Sequence, residues 1–345
     1  MRILINSGVG FLLVVLLAGI LLFMQHRNHD ALAQAATINI DAKAIPDFEI
    51  GNSVNKKFGS LLYSGGIVFW SENEALGGIS AIRMLDGGNR FLAVTDKGNW
   101  VTGSIERDSS GKIVGIKSAR IAPLRDNKGK PFRSKKNGDA EGMEIVGDRV
   151  LVSFERNSRI LKYKLDFNKL DSSGKKFRSS IRKIKLPNNS GLEAISVLQS
   201  SGALKLAKTE IVVFSENSLD AKGNIRGFIS KGNKWKQFTV REKGGYKITD
   251  ATLLPDGELL ILERQFSLIS GVRIRIRKLP VKEIVPGALL DGDILFEADS
   301  RFQVDNLEGI SAWRNGNNQT MLTIVSDNNF SSLQRNIMLE FELDN

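Results

Sequence analysis

Short apolar runs bounded by glycine, asparagine and aspartate recur along the chain from residue 60 onward. Five of these runs end on an acidic residue, and they span residues 91–96, 150–155, 211–216, 259–263 and 321–327. Turn-forming sequences such as Asp86-Gly87-Gly88-Asn89 and Asp256-Gly257 precede them. Short runs between such turns are typical of β-strands joined by hairpins. The chain is therefore predicted to be all-β.

A related segment lies before each of these runs, and successive segments are roughly 50 to 65 residues apart, which is in the range of propeller blades. The segments are Gly77-Gly78-Ile79-Ser80-Ala81, Asp139-Ala140-Glu141-Gly142-Met143-Glu144, Gly191-Leu192-Glu193-Ala194-Ile195-Ser196, Thr249-Asp250-Ala251-Thr252-Leu253-Leu254 and Asp305-Asn306-Leu307-Glu308-Gly309-Ile310-Ser311. Each repeat has enough chain for a four-stranded sheet. Residues 36–70 and 337–343 remain at the two ends and are predicted to pair. We therefore expect a single β-propeller closed by its termini, with six blades preferred and five as the alternative.

The repeats carry two acidic positions each. In an antiparallel hairpin, the residue that opens the first strand lies at the same end as the residue that closes the second, so these acids are predicted to meet at one end of the propeller axis. The first set is Glu141, Glu193, Asp250 and Glu308, with Gly78 at the corresponding place in the first repeat. The second set is Asp96, Glu155, Glu216, Glu263 and Asp327.

This acidic ring predicts a bound cation. Two carboxylates about 5 Å apart repel each other by about 3 kcal/mol at an effective dielectric near 20, so several of them need a positive neighbour. The chain has no cysteine, and its two histidines, His26 and His29, precede the repeats. An all-oxygen cluster suits Ca²⁺, which takes about 6 to 8 oxygen ligands. All nine acids are candidate ligands, led by Glu141, Glu193, Asp250, Glu263 and Glu308; the alternative is that arginines and lysines neutralise the ring.

The missing residues also exclude several classes of enzyme. Without a usable histidine or cysteine, Ser-His-Asp and Cys-His catalysis and His- or Cys-ligated zinc are excluded. No P-loop or dinucleotide-binding motif is present. Basic residues follow three of the acids, at Lys97, Arg156 and Arg264. They are interpreted either as groups that hold an anionic ligand or as ion-pair partners within the ring.

The charge of the chain favours an anionic partner. Lysines and arginines outnumber acids by 49 to 38, which gives a net charge of +11. A small phosphoester is the expected kind of ligand for a monomeric domain, and nucleic acid is not expected. The alternation of apolar and basic residues at 272–277 is interpreted as an outer strand whose charges prevent edge pairing.

The N-terminus predicts export. Arg2 precedes an apolar run at residues 9–24, and Ala31-Leu32-Ala33 matches a cleavage site. Residues 1–33 are therefore interpreted as a signal peptide, or as an uncleaved inner-membrane anchor, ahead of a domain at residues 34–345. The expected location is the periplasm or the exterior, with membrane contact only through this segment.

Several of the repeated motifs also resemble a known family. Asp139-Ala140-Glu141-Gly142-Met143, Gly191-Leu192-Glu193-Ala194-Ile195, Asn306-Leu307-Glu308-Gly309-Ile310-Ser311 and Ser326-Asp327-Asn328-Asn329-Phe330 are similar to those of the bacterial phytase-like family, also called esterase-like phytases. The resemblance covers nearly all of residues 60–343, although the Asp-Asp-Pro-Ala-Ile-Trp signature of propeller phytases is absent.

The resemblance implies an exported propeller that hydrolyses a phosphoester or an ester with calcium. The candidate catalytic residues for this reaction are Glu141 as base and Arg156, Arg264 and Lys97 as the groups that hold the anion. A calcium-dependent lactonase would use the same carboxylates. The alternative function is a non-catalytic periplasmic propeller that binds an anionic ligand or an envelope partner.

Overall fold

The structure, a computed structural model, describes residues 34–187, 191–199, 206 and 209–344. In chain order its strands are β1 (Ala36–Thr37), β2 (Asp41–Ile45), β3 (Lys57–Phe58), β4 (Leu61–Trp70), β5 (Ile79–Leu85), β6 (Arg90–Thr95), β7 (Asn99–Arg107), β8 (Ile113–Pro123), β9 (Ala140–Val146), β10 (Arg149–Phe154), β11 (Arg159–Lys164), β12 (Lys175–Phe177), β13 (Leu192–Val197), β14 (Ile211–Leu219), β15 (Ile225–Lys231), β16 (Lys234–Val240), β17 (Lys247–Leu253), β18 (Leu259–Ser267), β19 (Gly271–Leu279), β20 (Leu289–Leu290), β21 (Asp293–Ala298), β22 (Leu307–Arg314), β23 (Thr320–Ser326) and β24 (Asn336–Leu343).

Helical structure in the described residues is limited to short pieces. One α-helical turn, α1 (Lys135–Gly138), and two 3₁₀ turns, Ser179–Lys183 and Val281–Glu283, lie between strands. None of the helices in these ranges is long and apolar enough to cross a membrane. The apolar run predicted to direct export, residues 9–24, lies outside the described residues.

The strands form five sheets, which are the blades of a single propeller. Blade I contains β5 to β8 with β1 at its edge, blade II contains β9 to β12, and blade III contains β13 to β16 with β20. Blade IV contains β17, β18, β19 and β21, and blade V contains β22, β23 and β24 with β4 and β2. The inner strands β5, β9, β13, β17 and β22 contact one another in a closed circle. The preferred prediction of six blades is therefore wrong, and the alternative of five is confirmed.

The terminal strands pair as predicted, but they complete the fifth blade. β24 pairs antiparallel with β4, from Asn336 opposite Phe69 to Leu343 opposite Leu61. The last repeat supplies only three strands of its own, so the N-terminal strands fill the places that a full repeat would occupy. The leftover segments therefore do not add a sixth blade.

Apolar packing lies between the blades. Five clusters of buried residues each join two neighbouring blades, and together they cover all five interfaces of the ring. A middle strand is consequently buried on both faces, and all residues of β23 are buried. This burial explains why these strands are continuous apolar runs and not alternating ones.

The axis of the propeller is filled by Arg83 of β5. Its guanidinium donates hydrogen bonds to Asp250 at 2.9 Å and to the carbonyls of Ile195 at 3.2 Å and Ile310 at 2.9 Å. Its Nε lies 3.5 Å from the carboxylate of Glu144. These partners belong to the inner strands of blades II to V, so one side chain of blade I contacts the inner strand of every other blade.

Candidate functional site

All five inner strands begin at the same end of the axis, and each begins with a β-bulge. In β5, for example, Ile79 pairs with Thr95 and Ala81 pairs with Val94, which leaves Ser80 without a partner residue. The corresponding positions at the bulges of the other blades are Glu141, Glu193, Thr249 and Glu308. A bulge redirects the side chain of its extra residue. Three of the five bulges therefore bring a glutamate to the mouth of the axis.

The second strands end at the same mouth. A cavity of about 150 Å³ lies there, lined by Ser80, Asp96, Lys135, Glu141, Glu155, Glu193, Glu216, Arg264, Glu308, Asp327 and Asn329. Seven of the nine predicted metal ligands line this cavity. The hairpin geometry inferred from the sequence thus brings together acids that are up to 231 positions apart (327 minus 96).

Blade IV departs from the predicted alignment by one residue. Its bulge lies between Ile248 and Asp250, so Thr249 takes the place that glutamate has in blades II, III and V. Glu263 pairs with Ile248, and the next residue, Arg264, occupies the place of the acids that close the other second strands. The sequence does not show this shift, because an acid lies next to each of the two positions: Asp250 follows Thr249, and Glu263 precedes Arg264.

The two displaced acids have structural partners. Asp250 is fully buried on the axis, where it accepts hydrogen bonds from Arg83 and from the backbone N–H of Ile310 at 3.0 Å. Burial raises the pKa of Asp250 to about 6 although Arg83 opposes the shift. Asp250 is absent from the cavity lining, contrary to its prediction as a leading calcium ligand.

Glu263 lies inside blade IV and also does not reach the cavity. Its carboxylate accepts hydrogen bonds from Arg275 at 2.7 Å and from Arg277 at 2.7 and 2.5 Å. These arginines belong to β19, which lies between β18 and β21. The basic alternation at 272–277 therefore does not protect an outer edge, as predicted, but supplies two buried partners for one carboxylate.

Five acids at the mouth form two groups that share Glu155. Carboxylate oxygens of Asp139, Glu141 and Glu155 lie within 4.8 Å of one another, and so do those of Glu155, Glu193 and Glu216. Burial and the neighbouring carboxylates raise the pKa of Glu141 and of Glu193 well above the usual range. Burial and the charge of Asp139 raise the pKa of Glu155 to about 7. The cluster is thus electrostatically unfavourable when all of its members are ionised.

Glu193 shows whether a cation fits this cluster. Its side chain is 9% exposed and lines the cavity. Its carboxylate makes no hydrogen bond or ion pair with any residue in the described ranges. A buried ionised carboxylate needs a compensating partner. A hard cation bound by carboxylate oxygens would provide one, and the donor set is the kind that calcium prefers.

Basic side chains pair with Asp139 and Glu216 within the cluster and with Asp96 and Glu308 beside it; the ammonium of Lys247, for example, lies 3.2 Å from Glu216. Lys135 of α1 lies 2.8 Å from Asp96 and 3.6 Å from Asp139. Arg264 lies 3.2 Å from Glu308. The ion pairing that was the alternative to a metal therefore exists, but it does not extend to the carboxylate of Glu193.

The three predicted anion-holding residues are placed differently. Arg264 lines the cavity, and its pKa is raised by Glu308. Arg156 lies outside the lining, with its Nε 2.9 Å from Asp139. Lys97 places its ammonium 3.1 Å from the centre of the Phe330 ring.

Comparison with known proteins gives a family. Residues 74–330 match the family described as phytase-like, with esterase-like activity of phytase. The chain belongs to this phytase-like family. No curated protein matches its sequence.

Solved structures give a weaker likeness. An endo-arabinase from Bacteroides thetaiotaomicron is similar at 10% identity and a TM-score of 0.45, over 77% of this chain and 94% of the other. A PQQ-bound aldose sugar dehydrogenase from Streptomyces coelicolor is similar at 11% identity and a TM-score of 0.42, over 88% and 98%. A thermostable family-43 glycoside hydrolase is similar at 7% identity and a TM-score of 0.47, over 76% and 89%. These values carry no argument about function.

In this member of the family, the cavity also contains groups that sequence reasoning did not assign to the site. Lys135, Ser80 and Asn329 line the cavity, and Asp139 lies beside it in one group with Glu141 and Glu155. Asp139 could have been found, because it lies two residues before Glu141 in a repeated segment. Lys135 lies in a basic loop whose fold the sequence does not show. The assembled site joins unpaired carboxylates to a partial rim of cations, an arrangement suited to a divalent metal and an anion together.

Proposed function

We propose that this member of the phytase-like family is an exported, calcium-dependent hydrolase of a phosphoester or an ester. The family description supports hydrolysis, and the metal is supported by the carboxylate of Glu193, which lies in a buried acidic cluster and pairs with no group in the part of the chain that the structure describes. Export rests on the apolar run at residues 9–24 and the Ala31-Leu32-Ala33 site.

Glu155, Glu193 and Glu216 would hold the calcium, with Glu141 and Asp139 beside them. Calcium bound there would polarise a phosphoryl or carbonyl oxygen and lower the pKa of water. The carboxylates that do not bind the metal can accept a proton, and Glu141 remains the proposed base.

Arg264 and Lys135 would hold the anionic part of the substrate. Both line the cavity, and each is already oriented by a different acid, Glu308 or Asp96. An acidic ring alone repels phosphate, so the metal must first reverse the local field. Arg156 and Lys97, which lie outside the lining, would act on parts of the substrate that stay outside.

The size of the cavity restricts what enters it. Its volume of about 150 Å³ is well below the roughly 300 to 1,000 Å³ of sites that enclose a whole small molecule. An ion and one phosphoryl- or carboxyl-sized group fit. The substrate is therefore proposed to present a single terminal group to the cavity while its remainder lies on the mouth.

A substrate panel with and without calcium tests the proposal. Full-length protein should cleave at least one of a nitrophenyl phosphate, an inositol phosphate or a nitrophenyl ester, lose activity with chelator and regain it with calcium. Glu193→Gln should abolish the activity, whereas the matched change Glu106→Gln, at a half-buried glutamate that does not line the cavity, should leave it unchanged. If the calcium-loaded protein cleaves none of these substrates but binds inorganic phosphate, the non-catalytic anion-binding function replaces this one.

A further inference from the structure

The hairpin between β18 and β19 extends beyond the mouth of the cavity. β18 passes Arg264, which lines the cavity, and continues paired with β19 as far as Ser267 opposite Gly271. Those three further residues correspond to about 10 Å at roughly 3.4 Å per residue. Residues 265–273, called the blade IV tip, therefore stand above the face of the propeller where the cavity opens.

The blade IV tip presents apolar side chains to solvent. Leu268 is 95% exposed, Ile269 is 100% exposed and Phe266 is 61% exposed. Adjacent large apolar side chains exposed to this degree mark an interaction surface and not an ordinary loop. The blade III hairpin at the same end carries one exposed large apolar side chain, Leu219 at 44%, and the loop after β23 carries one, Leu333 at 90%, whereas the blade IV tip carries three together.

The tip is held in a defined conformation. The Ser267 hydroxyl accepts a hydrogen bond from the backbone N–H of Ser270 at 2.9 Å and contacts the Ser270 hydroxyl at 2.7 Å. The side chain of Gln265 donates to the carbonyl of Gly244 at 2.6 Å. These bonds fix the turn, so the apolar side chains are presented without a large loss of chain entropy on binding.

The shape and the charge of this surface both fit a lipid bilayer. Three side chains on a two-stranded tip offer much less than the roughly 800 Å² per partner of a stable protein interface. Arg273 on the tip is exposed and makes no ion pair with any described residue. Blade IV beneath it has Thr249 where blades II, III and V have glutamate, and Arg264 where the other four blades have an acid. The tip itself therefore carries one cation and no acid, on a chain with a net charge of +11, and apolar side chains beside such a cation are suited to a membrane that contains anionic lipids.

We propose that the blade IV tip inserts Phe266, Leu268 and Ile269 into an anionic phospholipid bilayer and thereby turns the cavity mouth toward the membrane. This docking goes beyond the hydrolytic function and does not require it. It would place the cavity next to substrates whose terminal group is displayed at a membrane surface.

A single fluorescent label tests insertion in the full-length chain. Because the sequence contains no cysteine, Leu268→Cys gives one site for an environment-sensitive dye. With vesicles of phosphatidylcholine and phosphatidylglycerol, the dye should shift to the blue and brighten several-fold. The label reports only on the tip, so membrane binding by the N-terminal apolar run does not produce the signal. Adding Phe266→Ser and Ile269→Ser should abolish it without changing the unfolding transition.

Two control positions decide between the possible outcomes. Ala221→Cys tests the blade III hairpin at the same end, and Asn317→Cys tests the turn between β22 and β23 at the opposite end. A shift of the dye at position 268 with none at the controls supports insertion. No shift at position 268, an equal shift at all three positions, or a shift that appears with protein concentration in the absence of vesicles overturns it; the last outcome indicates a protein partner instead.

Discussion

Replacing Arg83 by methionine should destabilise the propeller by about 3 to 5 kcal/mol, the usual result of removing one partner from a buried ion pair. Methionine keeps much of the side-chain volume but cannot donate to Asp250 or to the carbonyls of Ile195 and Ile310. The carboxylate of Asp250 would be left with backbone donors only. The loss is large because Asp250 is fully buried and water cannot replace the missing partner.

The size of this effect should depend on pH. Burial raises the pKa of Asp250 from 3.8 to about 6 in the folded protein, so the folded state binds this proton more tightly than the unfolded chain does. The stability from protonation is present below about pH 4 and is lost as the pH rises through about 6. Without Arg83 the folded-state pKa rises further. The difference in the free energy of unfolding between Arg83→Met and wild type should therefore be largest above neutral pH and become smaller in acid.

Urea unfolding followed by tryptophan fluorescence measures both effects. Arg90→Met provides the control, since Arg90 pairs with Asp86 on the surface, where such pairs contribute only about 0.2 to 1 kcal/mol. The double change Arg83→Met with Asp250→Leu should recover part of the loss because the fully buried charge of Asp250 is removed with its partner, while that of Glu144 stays. If Arg83→Met matches Arg90→Met at every pH, the axial arginine does not stabilise the ring and the reasoning fails.

Four further outcomes are expected. Calcium should raise Tm in differential scanning fluorimetry, and chelator should reverse the rise. The rise should become larger as the pH increases through about 7, because the raised pKa of Glu155 lets protons compete with the metal below that pH. A rise in Tm that does not depend on pH would contradict this. Gly142→Ala should weaken calcium binding in titration calorimetry, since a Cβ there would lie 2.3 Å from the carbonyl oxygen of Glu193; unchanged affinity would argue against the cluster. Glu263→Gln should cost about 3 to 5 kcal/mol in urea unfolding by leaving buried Arg277 underpaired, without changing calcium affinity. Arg264→Ala should lower kcat/KM for an anionic substrate by on the order of tenfold while the urea midpoint changes little; the reverse pattern would make its role structural.

The sequence was sufficient to predict the propeller and the acidic mouth because both follow from local patterns. Hairpin geometry alone brings the ends of neighbouring strands together, which is why Glu141, Glu155 and Glu193 were found. The number of blades cannot be predicted from local patterns, because it depends on whether β4 joins the last blade or begins a new one. Nothing in the composition of either terminal segment distinguishes those two arrangements.

Two features of the centre could not be derived in the same way. In blade IV, Asp250 lies one residue after the bulge position and Glu263 one residue before the position that closes the second strand, so the sequence shows an acid next to each place but not the displacement. Arg83 lies in an apolar strand, and its partners on other blades range up to Ile310, 227 residues away. Nothing in the sequence around a single arginine in such a strand indicates that its side chain lies on the propeller axis.

The pairing of β4 with β24 also fixes the order in which the ring can be completed. β4 is the first long strand to be synthesised, and its partner is the last. Until residue 343 is available, one edge of β4 has no strand beside it, and a free edge is a template for pairing with another chain. Blades I to IV can form during synthesis, but the circle stays open until the final strand arrives. A chain with this connectivity cannot close its ring of blades before its last strand has been made.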